Sequence, residues 1–531
     1  MTGGSLPPVP RSVVHMLLET ADAFPDRPAV TFGEVTLSYA EYRQAVLALA
    51  AMWRQMIRPG ERIALLLSNS LDMAVSTFAA HAAGAQAVPL NPAYTLRELT
   101  PILDDAAPRL LVHEAGLAAD LVRLCGARGI SRIETGGGGA TFLGLAEGPR
   151  QADPRLVPSH GQLATLQYTG GTTGLPKGVD ITHGQLAVNL AQREALLPTE
   201  RGGEVMLCSM PLFHVSAVAM CLHLACYAAS HLVILPRYRP DWVLEAIGRH
   251  RATLMSAGPT IFHGLLGFEG FGRADLGSLR CCYSGAAALP EATLQRWEAA
   301  SGCVILEGYG MTEAGPVLTY NPARGPRKVG SVGVAVPASE LQIVDPERDG
   351  TVLPAGAVGE IRVRGRHVMA GYRNRPELSE QALAGGWFHT GDLGRLDGDG
   401  YLFITGRRSE VINVGGYNVY PREVEQVLLE HPAVAEAAVF GAADDYYGQV
   451  VQAYVVPRGG ARLDEQALIE HCRSGLVRYK VPRAVRSVDS LPKTSVGKLA
   501  RRLLEPIGST AAGARPAAAP PGGVAEESSV G

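Results

Sequence analysis

Stretches of helical period alternate with short apolar runs through the first part of the chain, and this alternation constrains the fold more than any other feature. Tyr39 to Met56 and Leu71 to Ala83 have the helical period, while Arg62 to Leu67, Gln86 to Leu90 and Leu110 to His113 are the short runs between and after them. A short apolar run bounded by turn-forming residues suits a strand covered on both faces, and parallel strands need intervening helices as crossovers. The pattern therefore predicts an α/β fold with mainly parallel strands. At 531 residues the chain exceeds what one core usually supports. A large N-terminal domain with mixed sheets and flanking helices is expected, followed by a small α+β C-terminal domain. After about Gly359 the texture turns towards β, in EIRVRG and GYLFITG. From Glu410 a helix is expected over Pro421 to Glu430, with strands near Ala435 to Phe440 and Val450 to Val456. The boundaries follow: residues 1–408, residues 409–508 starting near Ser409, and a tail of Ala, Pro, Gly and Ser over 509–531, expected to be disordered.

Several classes of function fall away. Hydrophobic residues make up 47% and charged residues 19%, ordinary values for a soluble globular protein. A net charge of -3 gives no electrostatic reason to expect nucleic acid. The eight cysteines form no CxxC pair and no zinc-spaced cluster, and suit a reducing, cytoplasmic setting. The N-terminus lacks the order of a secretory signal. Ser216 to Leu235 has no Lys, Arg, Asp or Glu, yet it contains His223, His231, Tyr227 and Ser230. It reads as a buried helix followed by a core strand from His231 to Leu235, not as a transmembrane span.

The sharpest local signal is the run from Tyr168 to Gly178, YTGGTTGLPKG, which follows the apolar run Leu163 to Gln167. Gly170, Gly171 and Gly174 let the backbone approach an anion. Thr169, Thr172 and Thr173 supply hydroxyl donors, and Lys177 supplies a point charge. This chemistry suits a polyphosphate, and the GK[ST] order of a Walker loop is absent.

The run resembles the adenylation signature of the superfamily that joins acyl-CoA synthetases, peptide-synthetase adenylation domains and luciferases (the ANL adenylate-forming enzymes). Gly171 stands where that family more often has serine. Six further matches occur in order: Pro211-Leu212-Phe213-His214, Ser284-Gly285-Ala286-Ala287, Gly308-Tyr309-Gly310-Met311-Thr312-Glu313, Thr390-Gly391-Asp392, Gly406-Arg407, and Pro492 to Lys498. The resemblance implies an AMP-forming acid–thiol ligase using ATP, magnesium and coenzyme A. Gly170, Gly171, Thr172, Thr173, Gly174 and Lys177 would hold phosphates. Gly285, Ala286, Ala287 and Tyr309 would line the adenine pocket, and Gly308, Gly310 and Met311 would also bind the nucleotide. Asp392, helped by Arg407, would meet the ribose hydroxyls, and Thr312 the α-phosphate. Thr169 and Glu313 would serve the magnesium, a hard ion that takes oxygen ligands.

A carboxylic acid is ionised at neutral pH and needs no strong base, since carboxyl pKa values lie near ~4. What remains is to position it and to offset charge on the phosphoryl group. By resemblance Lys498 supplies that charge, on a segment, Arg473 to Arg502, that holds nine Lys or Arg and one Asp. The small domain would then rotate about a hinge at Ser409, where most relatives carry aspartate or lysine. Gly415, Gly416 and Tyr417 would line the pantetheine path. The Pro492 and Gly497-Lys498 spacing also resembles a site for lysine acetyltransferases. A homodimer is compatible with the sequence, which does not test it.

Amino-acid-activating relatives carry an aspartate near Pro211 to Val215, but Val205 to Pro240 contains no acid. A buried ammonium would go unpaired there, so a hydrophobic acid, a medium- or long-chain fatty acid, is expected. The pocket would be lined by Phe213, His214, Val215, Gly258, Pro259, Ser284 and Gly310, on candidate strands Leu207 to Val218 and Met255 to Phe262, with His214 as gate. The alternatives are an aryl or cyclic acid, or transfer of the acyl group to a carrier protein. Against the last, no carrier domain is fused and VGSVGVAVPASELQIVD runs on without the insertion of fatty acyl-AMP ligases.

Overall fold

The structure is a computed structural model and describes residues 6–116, 119–136, 138–147, 157–169, 176–348, 350–460, 463–493 and 499–507. The chain divides into two compact units, Met1–Arg408 and Ser409–Gly531.

In the first unit a nine-stranded sheet runs in the order Val334–Ala335, Val317–Tyr320, Val304–Gly310, Cys281–Ser284, Leu254–Ala257, Val205–Cys208, His231–Ile234, Pro28–Phe32, Val35–Ser38. Its central strands are parallel and its edges antiparallel. A six-stranded sheet orders Ser131–Thr135, Leu110–Glu114, Arg62–Leu66, Gln86–Pro89, Leu163–Thr169, Lys177–Thr182, parallel except for the last pair. Both sheets contribute to one core, which holds Ile63, Leu110, Val30 and Leu232 together. Helix Leu71–Ala82 shows how tightly: each of its residues is buried, so its apolar surface has no solvent face to spare. The expected helices and apolar runs of this region all form, within a few residues of the expected ends. A third, antiparallel sheet contains Ser339–Val344, Gly359–Gly365, Phe388–Leu396 and Leu402–Arg407.

Two expectations need correction. The segments read as pocket strands are strands only at their beginnings, Val205–Cys208 and Leu254–Ala257. Val215–Ala217 opens a helical run that passes through a π-helical turn, Val218–His223, into Leu224–Ala228. Pro259–Leu266 is also a helix, with Gly258 as its cap and Pro259 in its first turn, where a missing N–H costs nothing. As expected, the strand His231–Ile234 follows the buried helical run that ends at Ala228. Among the described residues no helix is long and apolar enough to cross a membrane.

The second unit is a small α+β body. Its strands order Tyr417–Val419, Ile412–Val414, Gly448–Pro457, Val434–Asp444, with Ala484–Ser487 added parallel to Gly448–Pro457. Helices Pro421–Glu430 and Glu465–Gly475 contribute Val424, Leu428, Leu468 and Cys472 to its core. The half-buried Arg501 guanidinium grips both oxygens of Glu425 at 2.7 and 2.8 Å and Glu410 at 2.7 Å.

Candidate active site

The described ends of the signature run lie on two paired antiparallel strands, the hairpin Leu163–Thr169 and Lys177–Thr182. Thr169, last residue of its strand, lies opposite Lys177, first residue of the next, and its hydroxyl donates to the Lys177 carbonyl at 3.5 Å. Gly170, Gly171, Thr172, Thr173 and Gly174 lie outside the described residues. The hairpin is tied down at both roots. Tyr168 donates its phenolic proton to Asp105 at 2.7 Å, and the Arg373 amide donates to the Gly178 carbonyl at 2.8 Å.

Two neighbouring parallel strands end in the next motifs, as ligand-binding loops of parallel sheets do. Cys281–Ser284 leads into Gly285, Ala286 and Ala287, with Ala286 at φ 68. Val304–Gly310 carries Gly308, Tyr309 and Gly310. Glycine is required at Gly310, where a Cβ would stand 1.8 Å from the Pro316 carbonyl oxygen. Past Met311, the turn Thr312–Ala314 buries both Thr312 and Glu313.

Strand register brings the candidate ribose group to this place. Asp392 pairs with Arg407 across the antiparallel sheet, and their side chains meet at 3.2 Å. Tyr309 donates to the same carboxylate at 2.6 Å. Asp392 is 6% exposed and lies within a strand, not in a solvated turn. Burial, reinforced by the Asp392 charge, pushes the Tyr309 phenol well up, so it remains a hydrogen-bond donor.

Glu313 is 8% exposed. Burial raises its carboxyl pKa, opposed by the hydrogen bond from Tyr372, at 3.1 Å, and by the charges of Arg407 and Lys177. The Lys177 ammonium stands 5.1 Å from the Tyr372 ring centroid, a cation–π contact. Glu313 thus offers one buried carboxylate, an oxygen ligand of the kind a hard divalent ion takes. Among the described residues no three His, Cys, Asp or Glu groups gather around one point. Magnesium keeps water and takes phosphate oxygens alongside one or two carboxylates.

The candidate acyl residues abut this region. Gln167, on the strand before the signature loop, donates to the Phe213 carbonyl at 2.8 Å. His214 shares a 2.7 Å hydrogen bond between Nδ1 and the Ser216 hydroxyl. Val215, Pro259 and Ser284 are buried, and Gly258 approaches the Gly285 carbonyl, its Cβ position 3.9 Å away. In the second unit Gly415 and Gly416, at φ 59 and 88, form the two-residue turn between Ile412–Val414 and Tyr417–Val419. Tyr417 is 60% exposed and stacks on Tyr479 at 4.7 Å between centroids. Ser409 sits in the turn Arg408–Glu410, at the division between the two units. Lys498 lies outside the described residues.

Sequence reasoning missed Tyr372 and Asp105. Neither belongs to a run of characteristic composition, and each meets its partners only through the tertiary fold. The one available signal was Tyr372-Arg373-Asn374, an aromatic and two polar donors together between two β-rich segments.

Comparison with known proteins gives the same grouping. A family model described as AMP-binding enzyme matches residues 17–373, and the AMP-binding enzyme C-terminal domain matches residues 423–498. The chain belongs to the AMP-binding enzyme family. It is thus one of the adenylate-forming enzymes, an AMP-forming acyl-CoA synthetase with ATP, magnesium and coenzyme A as its requirements. A long-chain-fatty-acid–CoA ligase of Bacillus subtilis is 34% identical, over 94% of this chain and 95% of that one. A feruloyl-CoA synthase of Amycolatopsis is 36% identical, over 90% and 94%. Among solved structures, ATP-bound MatB from Rhodopseudomonas palustris superposes with a TM-score of 0.87 at 31% identity, covering 93% and 98%. The o-succinylbenzoate coenzyme A synthetase of Bacillus subtilis with ATP and magnesium gives 0.80 at 32%, covering 92% and 98%.

Proposed function

We propose that this AMP-binding enzyme activates a hydrophobic carboxylic acid, a medium- or long-chain fatty acid, and passes it to coenzyme A. The observation that carries the choice of acid is the helical run from Val215 to Ala228. It follows the His214 motif, contains no acidic residue, and buries Val215, Ala217, Met220, Leu222 and Leu224. A substrate ammonium would meet no counter-charge there, whereas an alkyl chain loses nothing on leaving water.

In this reading Lys177 and the signature loop hold the phosphates, and Asp392, Tyr309 and Arg407 orient the ribose. Thr169 and Glu313 hold magnesium, which supplies charge neutralisation on the phosphates when bound. The acid's carboxylate attacks the α-phosphorus and pyrophosphate leaves. Thr312 and Lys498 meet charge on the α-phosphoryl oxygens. His214 gates the acyl pocket, and residues 1–408 carry the nucleotide and acyl sites. Residues 409–508 then turn about Ser409, exchanging Lys498 for the Gly415-Gly416-Tyr417 turn through which pantetheine enters. Acetylation of Lys498 would remove its charge and switch the first step off. A cytoplasmic setting belongs to the same reading, supported by eight buried free cysteines.

An aryl acid is the second reading, favoured by the likeness to the feruloyl-CoA and o-succinylbenzoate enzymes. Pyrophosphate release measured across alkyl and aryl acids, with and without coenzyme A, separates the two. Turnover should be fastest with saturated acids and should depend on coenzyme A. Preference for cinnamate-type acids overturns the fatty-acid reading, and full turnover with a carrier protein alone overturns the acceptor.

A further inference from the structure

Residues 368–374 belong to none of the motifs above, yet they join two of them. The Met369 amide donates to the Glu313 carbonyl at 2.8 Å, and the Arg373 amide to the Gly178 carbonyl, also at 2.8 Å. Tyr372 forms a β-bridge with Val179, next to the end of the signature run. Between these backbone ties its side chain does two jobs, donating to Glu313 Oε1 at 3.1 Å and placing its ring 5.1 Å from the Lys177 ammonium. The residue is itself held: Asn374 Nδ2 donates to Asp105 Oδ1 at 3.0 Å and Arg373 Nε to the Asp105 carbonyl at 3.2 Å. Asp105 also takes the Tyr168 phenolic proton. One segment therefore fixes the lysine at one end of the signature run, the acid of the other motif, and the roots of the hairpin.

We infer that Tyr372 is a positioning residue for adenylation, which sets Glu313 towards the magnesium and Lys177 towards the phosphates. The inference rests on the metal role proposed for Glu313. A carboxylate has free rotation about its terminal torsion, and a hydrogen bond to one oxygen fixes the direction in which the other presents its lone pairs. Lys177 carries a flexible stem, and an aromatic face beneath its ammonium narrows the positions it samples.

The two contacts separate by substitution. Tyr372→Phe keeps the ring under Lys177 and removes the bond to Glu313, while Tyr372→Leu removes both. Magnesium titrated calorimetrically into enzyme holding α,β-methylene-ATP reads the first contact without turnover. A hydrogen bond to a charged group contributes enough that Tyr372→Phe should bind magnesium about tenfold more weakly. Its KM for ATP at saturating magnesium and its melting temperature should stay as in the parent. Tyr372→Leu should show the same magnesium defect and in addition a severalfold higher KM for ATP. Glu313→Gln completes the set. If Glu313→Gln weakens magnesium and Tyr372→Phe does not, the positioning inference falls while the metal assignment stands. If Glu313→Gln leaves magnesium binding unchanged, the metal assignment falls first. A Tyr372→Phe enzyme that only melts earlier, with all binding intact, assigns the residue to stability and overturns the inference.

Discussion

The two units treat polar groups in opposite ways. In Met1–Arg408 the candidate nucleotide groups are buried and already engaged: Asp392 by Tyr309 and Arg407, Glu313 by Tyr372. In the second unit the candidate thiol path is a two-glycine turn beside an exposed Tyr417, and the buried carboxylate, Glu425, is locked in a structural fork with the half-buried Arg501. Burying a carboxylate is costly without partners, so a fold that does it has prepared that place for a fixed charge pattern. An exposed turn built from glycines costs little to leave open and suits a chain that slides past it. On the proposed reading, the first unit is built for a ligand that stays and the second for one that passes through.

The first unit also holds a polar feature with no role in the site, and it gives the largest expected effect. His81, His183 and His223 cluster in the core, with ring centroids 5.2 Å apart for His81 and His183 and 5.9 Å for His81 and His223. Burial holds them neutral, lowering His81 to about 4 and His223 to about 3, and His183 is lowered by burial and by its histidine neighbours. An unfolded histidine titrates near ~6.5, so the unfolded chain binds protons that the fold refuses below that pH. The stability these groups contribute is present above pH ~6.5 and falls as pH drops towards the folded values. The loss is about 1.4 kcal/mol per histidine for each unit, or about 4 kcal/mol for three at pH ~5.5. Melting of the full chain from pH 7.5 down to 5.5 should show this loss, and His223→Leu should lessen it by about a third. Parallel pH curves for parent and variant would remove the cluster from the account.

Next in size is Lys498→Ala. Losing one electrostatic contact to a developing charge costs on the order of 10²–10³ in rate. Acyl-AMP formation should fall by that factor. Thioester formation from supplied acyl-AMP and coenzyme A should remain near the parent rate, and Gly416→Trp should show the reverse pattern. Equal losses in both half-reactions for Lys498→Ala would erase the contrast between a staying and a passing ligand. Asp392→Ala follows, with KM for ATP raised about tenfold or more, as expected for a charge-assisted bond to the ribose. An ATP KM unchanged by Asp392→Ala would move the ribose elsewhere.

Much of this contrast was legible in the sequence. The apolar runs Arg62 to Leu67 and Leu110 to His113 form strands because apolar residues of that length between turns have one common solution in a two-layer α/β fold. Helix Pro421–Glu430 was legible from its first-turn proline and its apolar spacing. The buried helix from Ser216 was legible, but its first turn and the helix at Pro259 also fall in segments read as strands, because an apolar run buried all round carries no period to distinguish the two. The cap and proline at Gly258-Pro259 were the better guide. Asp392 and Arg407 were legible from their motifs, and strand register brings them together; the bond from Tyr309 to Asp392 was not, since only the tertiary fold creates it. Tyr372 and Asp105 lie 267 residues apart (372 − 105), and no local pattern links such positions.

The smallest effect concerns where the second unit ends. Its last described residues are fastened to strand Gly448–Pro457. Gln452 exchanges two hydrogen bonds with the Ile507 backbone, at 2.7 and 3.2 Å, and Tyr454 donates to the Glu505 carbonyl at 3.0 Å. Beyond them, residues 509–531 are mostly Ala, Pro, Gly and Ser, with two valines as their largest apolar side chains and no apolar period. Truncation after Gly508 should therefore leave melting temperature and both half-reactions unchanged. Truncation after Leu503 removes the Gln452 and Tyr454 partners and should destabilise this unit by about 1–3 kcal/mol, since three hydrogen bonds of modest net worth are lost. Differential scanning calorimetry of the two truncations side by side makes the comparison. An early transition after the longer truncation alone fixes the end of the fold near Ile507. Should the shorter truncation also melt early, the Ala- and Pro-rich tail docks on the protein, and the second unit extends further than its core requires.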